Sequence, residues 1–197
     1  MKVLALELSS PVGSIAYCGG QGGLDFRAFP ADRKHSGFFY ENLSAVYKYD
    51  GPPDLIVVGL GPGSYAGVRI AIATALGLRR AAGARLRGLP SICAIERTEY
   101  LFIGDARRNS FVFAHIADGR CIEGPLLAAE EEIHARLRHA PDQPAIATQP
   151  LLQFDAIIIE QPSALRLAQL ALRGDGVDDE TLEPIYLRAP YVTSPAR

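Results

Sequence analysis

DLIVVGLGPGSYAGVRIAIATALGLRR, residues 54–80, is the stretch that decides the fold. Leu55–Leu60 is an apolar run rich in β-branched residues with no polar alternation, the pattern of a central parallel strand covered on both faces. Gly61-Pro62-Gly63-Ser64 then breaks the chain. A helical pattern follows from Val68 to Arg80, ending on Arg79 and Arg80, whose charge suits a helix C-terminus. A buried strand, a glycine turn and a packed helix make an α/β unit.

The turn has three readings. It is not a P-loop, because no Gly-Lys-Ser/Thr follows to meet phosphates. Gly61 to Ala66 fits a loose G-x-G-x-x-G/A, but the turn comes after an antiparallel hairpin and no acid stands about twenty residues on to hold a ribose. The third reading is structural: Gly61, Pro62, Gly63, Ser64 and Gly67 form a corner that lets the helix approach its strand closely. On the helix, Val68, Ile72, Ala75 and Leu76 make one stripe, while Ile70, Ala71, Ala73, Thr74 and Gly77 make a second, small-residue surface. A helix apolar or small on all sides is covered on two sides. Either the helix expected at Ser36–Tyr49 covers the second surface or a partner chain docks there.

Working outward, Val3–Leu8, Gly13–Cys18 and Leu24–Phe29 read as three antiparallel strands. Phe39, Leu43, Val46 and Tyr47 give an amphipathic helix with Ser36 as N-cap. Ala84–Gly88 returns as a short strand. A second cycle starts with Leu101–Ile103, turns at Arg107-Arg108-Asn109 and returns at Phe111–Ile116. A helix at Ala129–Leu137, a linker from Pro141 to Pro150, a strand at Ala156–Ile159, a helix at Ser163–Arg173 and a short strand in EPIYLR (183–188) complete it. Glu7 and Asp105 hold equivalent places in the two hairpins, which reads either as an internal duplication or as two ordinary hairpins. The expected lobes are residues 1–95 and 96–197.

Composition excludes several classes. With 197 residues, 48% hydrophobic and 21% charged, the chain can bury a core in each lobe. A net charge of −2 gives no general attraction to nucleic acid or anionic membrane. The three cysteines, Cys18, Cys93 and Cys121, form no CxxC pair, so neither a disulfide framework nor a thiolate zinc site is suggested, and a reducing, cytoplasmic setting is expected. No stretch reaches the roughly 18 uninterrupted apolar residues of a membrane span, and the N-terminus does not read as a signal peptide. Ser9, Ser10, Ser64 and Ser110 lack a His and Asp set, and His35, His134 and His139 lack ligand spacing, so no catalytic residue and no metal site is expected.

Five segments in order resemble the TsaB (YeaZ) family: LALELSS–SIAYCGG, KHSGFFYENLSAVY, GLGPGSYAGVRIAIATALGL, IGDARRNSFVFAHI and EPIYLR. The resemblance implies a two-lobed α/β fold of the actin-like, Hsp70-like ATPase superfamily (ASKHA, RNase H-like), a mixed sheet with helices, in which the second lobe of this chain is shortened. It implies a non-catalytic subunit for formation of N6-threonylcarbamoyladenosine at tRNA position 37. Such a subunit pairs with a TsaD paralogue, joined by the ATPase TsaE, or with itself when alone, and meets tRNA only through the complex. The implied pairing surface is the first two helices, here His35, Phe39, Leu43, Val46, Val68, Ile72, Ala75, Leu76 and Arg79. His35 stands four residues before Phe39 where catalytic relatives carry a His-x-x-x-His pair. Glu7 stands where the superfamily has Asp and Ala66 where the family often has Thr. No cofactor is implied, and Glu7, Ser9, Ser10 and Asp105 mark a vestigial nucleotide site. The competing expectation is a nucleotide-dependent hydrolase or peptidase with Glu7, Ser9 and Asp105 around a metal–phosphate between the lobes.

Overall fold

The computed structural model describes residues 1–19, 23–31, 36–178 and 181–188. The first strands are β1 (Val3–Glu7), β2 (Val12–Cys18) and β3 (Leu24–Pro30), followed by α1 (Ser36–Asp50), β4 (Leu55–Gly59), α2 (Tyr65–Ala82) and β5 (Arg85–Leu89). A 3-10 turn at Ser91–Cys93 leads to β6 (Glu99–Asp105), β7 (Ser110–Ala117), β8 (Arg120–Ala129) and α3 (Glu130–His139). β9 (Ala145–Ala147), β10 (Ile158–Ile159), α4 (Ala164–Arg173) and β11 (Val177–Asp178) complete the chain.

β1 and β4 lie parallel at the centre of the first sheet, whose order is β11-β5-β4-β1-β2-β3. Every residue of both strands is buried, because each alternating set faces a different core. Leu4, Leu6, Ile56 and Val58 face a core closed by Phe39, Leu43 and Val46 of α1 and by Val68, Ala71, Ile72 and Ala75 of α2. Val3, Ala5, Leu55 and Val57 face a second core that holds Leu167, Ala168, Leu170 and Ala171 of α4. That core also contains Tyr100 and Phe102 of β6 and Val112, Ala114 and Ile116 of β7, so α4 is packed in the apolar mass shared by both sheets. Its N-terminus is tied by Ala164 N–H to Ser14 Oγ at 2.9 Å and Ser163 N–H to Ala94 O at 2.9 Å. On the far face of β6 and β7, Leu101, Ile103, Phe111 and Phe113 pack with Ile133 of α3.

The second sheet, ordered β10-β9-β6-β7-β8, repeats the β5-β4-β1-β2-β3 part of the first, with the same parallel and antiparallel senses. Of the two readings of the paired hairpins, this topology supports duplication. The repeat is shortened at one place: α2 joins β4 to β5, whereas β9 reaches β10 through residues 148–157 without a helix.

Two expectations needed correction, and one strand lies where no element was expected. The segment after Asp118-Gly119 is a ten-residue strand, β8, whose pattern is interrupted by Gly124-Pro125 and whose pairing to β7 shifts register between Phe113 and Ile116. The linker 141–150 contains β9, three buried residues too short for a periodic signal. EPIYLR is not a strand; the terminal strand is Val177–Asp178, antiparallel to β5. Among the described residues no helix is long and apolar enough to cross a membrane.

Two glycines of α2 separate packing from propensity. A Cβ at Gly67 would lie 2.0 Å from the Leu8 carbonyl oxygen, backbone that cannot yield, whereas one at Gly77 would meet nothing within 4 Å. Gly67→Ala is therefore expected to destabilise the protein by about 2 kcal/mol or more, and Gly77→Ala to stabilise it by about 0.5–1 kcal/mol. Urea unfolding of the two variants checks both signs.

Candidate functional site

The glycine corner is closed by the chain's own backbone. Gly61 has φ +84°, a left-handed conformation that glycine adopts without steric cost. Its N–H donates to Ser91 Oγ at 3.0 Å, and its carbonyl accepts from Ser91 N–H at 2.8 Å. Ser64 N–H donates to Ser9 O at 2.7 Å, and a Cβ on Gly63 would come within 2.2 Å of the same oxygen. At the start of α2, Gly67 N–H donates to Ser64 Oγ at 3.2 Å and Val68 N–H to Ser64 O at 3.0 Å. These amides, which would cradle a phosphate in a P-loop, are occupied by internal acceptors. The structural reading of Gly61, Pro62, Gly63, Ser64 and Gly67 is the one this geometry supports.

The proposed nucleotide residues do not form an open site. Glu7 is 0% exposed, Ser9 5% and Ser10 3%, whereas Asp105 lies at an exposed turn. Both acids do the same local job, each accepting from the backbone two residues on: Ser9 N–H to Glu7 Oε1 at 2.6 Å and Arg107 N–H to Asp105 Oδ1 at 2.6 Å. Gly59 makes room for the Glu7 carboxyl, since a Cβ there would fall 1.8 Å from Oε2. Among the described residues no three His, Cys, Asp or Glu side chains are grouped to hold a metal ion. The expectation that Glu7, Ser9 and Asp105 surround a metal–phosphate in a cleft is thus corrected: Glu7 is sealed inside the fold.

Burial raises the pKa of Glu7, opposed by hydrogen bonds from the Ser9 side chain and backbone and from the Ser91 hydroxyl. Its Oε2 has no partner of ordinary hydrogen-bond geometry, so the desolvation of the charged form is not offset there.

The helices present their faces differently from the sequence expectation. Phe39, Leu43, Val46, Val68, Ile72 and Ala75 are all buried in the chain's own core and offer no surface to a partner. His35 lies outside the described residues. Leu76, 36% exposed, stands at the margin, and with Arg79, Arg80, Arg85 and Asp178 it lines an open groove of about 700 Å³. The outward residues include Ala73 and Gly77 on α2 and Phe38, Tyr40 and Tyr49 on α1, the three aromatics 39%, 55% and 60% exposed. Their signal was present in the small-residue surface of α2, but small residues on both faces hide which one the sheet takes.

The description "TsaD: tRNA N6-adenosine threonylcarbamoyltransferase" belongs to the family that matches residues 51–169, from the turn before β4 to within α4. The chain belongs to this family. An uncharacterized protein of Mycobacterium leprae, ML0378, is 32% identical over 149 residues, covering 72% of this chain and 38% of its own length. The chain spans 65% of the length of further mycobacterial relatives that are 30% identical to it. A Pseudomonas aeruginosa protein described as similar to the peptidase YEAZ superposes with a TM-score of 0.75 at 23% identity, covering 95% of this chain and 99% of that one. YeaZ from Pseudomonas aeruginosa gives 0.73 at 20% identity, covering 94% and 100%. The fold is therefore YeaZ-like, a mixed α/β architecture of two sheets with helices.

The Glu7 carboxyl makes stability depend on pH in a defined direction. Below the ordinary value of 4.5 both folded and unfolded chains hold the proton. Above it the unfolded chain releases the proton while the folded chain retains it, so stability falls as pH rises, until the raised folded-state value is passed. As pH rises above the ordinary carboxylate value, the urea midpoint of the wild type is expected to fall relative to that of Glu7→Gln. Equal pH slopes for the two proteins would show that Glu7 ionises normally inside the fold.

Proposed function

We propose that the protein is a non-catalytic subunit in the formation of N6-threonylcarbamoyladenosine in tRNA, pairing through the outer faces of α1 and α2 with a TsaD-like catalytic subunit. The observation that carries this reading is the outward face of α2, where small Ala73 and Gly77 stand, beside the exposed aromatics of α1, Phe38 and Tyr49 on one flank of its buried stripe and Tyr40 on the other. Small residues let a partner helix approach closely, and flanking aromatics supply contact area at low entropic cost. Family membership gives the chemistry to which such a subunit belongs. The closed glycine corner and sealed Glu7 turn the reading away from a nucleotide hydrolase.

In this reading the first sheet is a rigid base that holds the two helices side by side. The catalytic groups and the tRNA contacts are supplied by the partner, a TsaE-like ATPase joins the assembly, and the setting is the cytoplasm. In the absence of the partner, the same face pairs with a second copy. An interface of about 800 Å² on each side would make such a complex stable. The pairing residues are then the outward set and Leu76, not the inward stripe.

Ala73→Arg places a long cation on this face without touching the core. It is expected to weaken the complex with the TsaD-like subunit of the same organism by about 100-fold, about 3 kcal/mol, with unchanged thermal unfolding of the isolated chain. Titration calorimetry and size-exclusion chromatography of the mixture measure this, and an unchanged affinity would sink the pairing face. Loss of the modified adenosine in a strain carrying the variant, read by mass spectrometry of digested tRNA, ties the surface to the pathway.

A further inference from the structure

Residues 181–188 form neither helix nor strand, yet they are fastened to both sheets. At one end Leu182 is buried and would meet a Cβ on Gly88 at 3.0 Å. Ile185 N–H donates to Leu60 O at 2.9 Å, at the entry to the glycine corner. Arg69 of α2 donates from Nε to the Tyr186 hydroxyl at 2.7 Å while its guanidinium lies 4.2 Å from the Tyr65 ring centre. The Tyr65 and Tyr186 rings are 5.8 Å apart. At the other end Leu187 packs against the core shared by the two sheets. Arg188 then reaches the β6–β7 turn, donating from Nη1 to Ala106 O at 3.3 Å and from Nη2 to Ser110 Oγ at 2.6 Å.

That turn is conformationally unfavourable. Arg107, Arg108 and Asn109 have φ of 61°, 54° and 55°, three successive side-chain-bearing residues in the left-handed region. Its own ties are Ala106 N–H to Ser110 O at 3.0 Å, Ser110 N–H to Arg107 O at 3.2 Å and the Asp105 carboxylate on Arg107 N–H. The Arg188 fork grips both stems of the turn at once, which a single-point donor such as lysine cannot reproduce.

We propose that residues 182–188 are a strap that couples the outer edge of α2 to the β6–β7 turn, so that releasing Tyr186 from Arg69 loosens the turn, and releasing the turn loosens Tyr186. The strap is also placed to feel an occupant of the helix face. Glu183, Pro184 and Tyr186 line a groove of about 360 Å³ together with Arg69, Ala73 and Leu76. Coupling of this kind travels through contiguous contacts and is reciprocal. It goes beyond the pairing reading and stands without it, since both anchors lie within one chain.

Hydrogen exchange of the isolated full chain tests the strap. Tyr186→Phe removes only the hydroxyl, and Arg69→Ala removes the guanidinium with both its hydrogen bond and its ring contact. Both are expected to speed exchange of the Ala106 and Ser110 amides by about fivefold or more, although neither residue contacts the turn. Reciprocally, Ser110→Ala and Arg188→Lys are expected to speed exchange at Ile185. Unchanged turn amides in Tyr186→Phe and Arg69→Ala, with an effect only from Arg188→Lys, would overturn the coupling. Equal acceleration across β1 and β4 would overturn it too, because it would mark a general loss of stability. Loss of binding by Ala73→Arg has no bearing on either result.

Discussion

The close approach of α2 to the end of β1 is the constraint on which the rest of the structure depends. Gly63 and Gly67 lie so near the backbone of Leu8 and Ser9 that any side chain there would strike a carbonyl oxygen. Since these oxygens belong to the segment leaving β1, the contact cannot relax without moving the central strand. The corner therefore sets the height of α2 over β4, β1 and β5, and with it the depth to which Val68, Ala71, Ile72 and Ala75 enter the core. Ser91 closes the same corner from the β5 side through two hydrogen bonds with Gly61.

The same arrangement explains why a glycine-rich turn before a helix makes no phosphate site here. A phosphate cradle needs unpaired amides and an open concavity. In this chain Ser64, Gly67 and Val68 donate to internal oxygens, and the carboxyl of Glu7 fills the space that Gly59 leaves at the end of β4. Burial, not a neighbouring charge, dominates the electrostatics of that carboxyl. Its use within the fold is local and repeated: Glu7 and Asp105 each terminate the first strand of a hairpin by accepting the amide two residues on.

The two sheets share one core through α4. This helix is encoded after β10 but packs on β1, β2, β4 and β5, so the second half of the chain completes the first sheet. Hydrogen bonds from Ser163 and Ala164 tie its start to the 3-10 turn region and to β2. The terminal segment then crosses from Leu60 and Arg69 to Ala106 and Ser110, a second, hydrogen-bonded link between the same two sheets. The first sheet consequently has helices on both faces, which is why β1 from Val3 to Leu6 and β4 from Leu55 to Val58 are apolar without alternation.

Local pattern by itself determined the strand–corner–helix unit, the opening hairpins, the helices and the equivalence of Glu7 with Asp105, because each of these has a short-range period or a turn residue that only one conformation satisfies. It did not reveal β8, where Gly124-Pro125 breaks the alternation, nor β9, whose three residues are too few to show a period. Segment resemblance pointed to the family, but the face of the helices that meets solvent was beyond it. In α2 both faces are built of small or aliphatic residues, so periodicity permits either to be inner; only the position of the sheet turned Val68, Ile72 and Ala75 inward and left Ala73 and Gly77 outside. For the same reason the burial of Glu7 was decided by tertiary structure: whether a carboxylate at a strand end meets water depends on what is packed beyond it, here Ser91 and the glycine corner from distant parts of the chain.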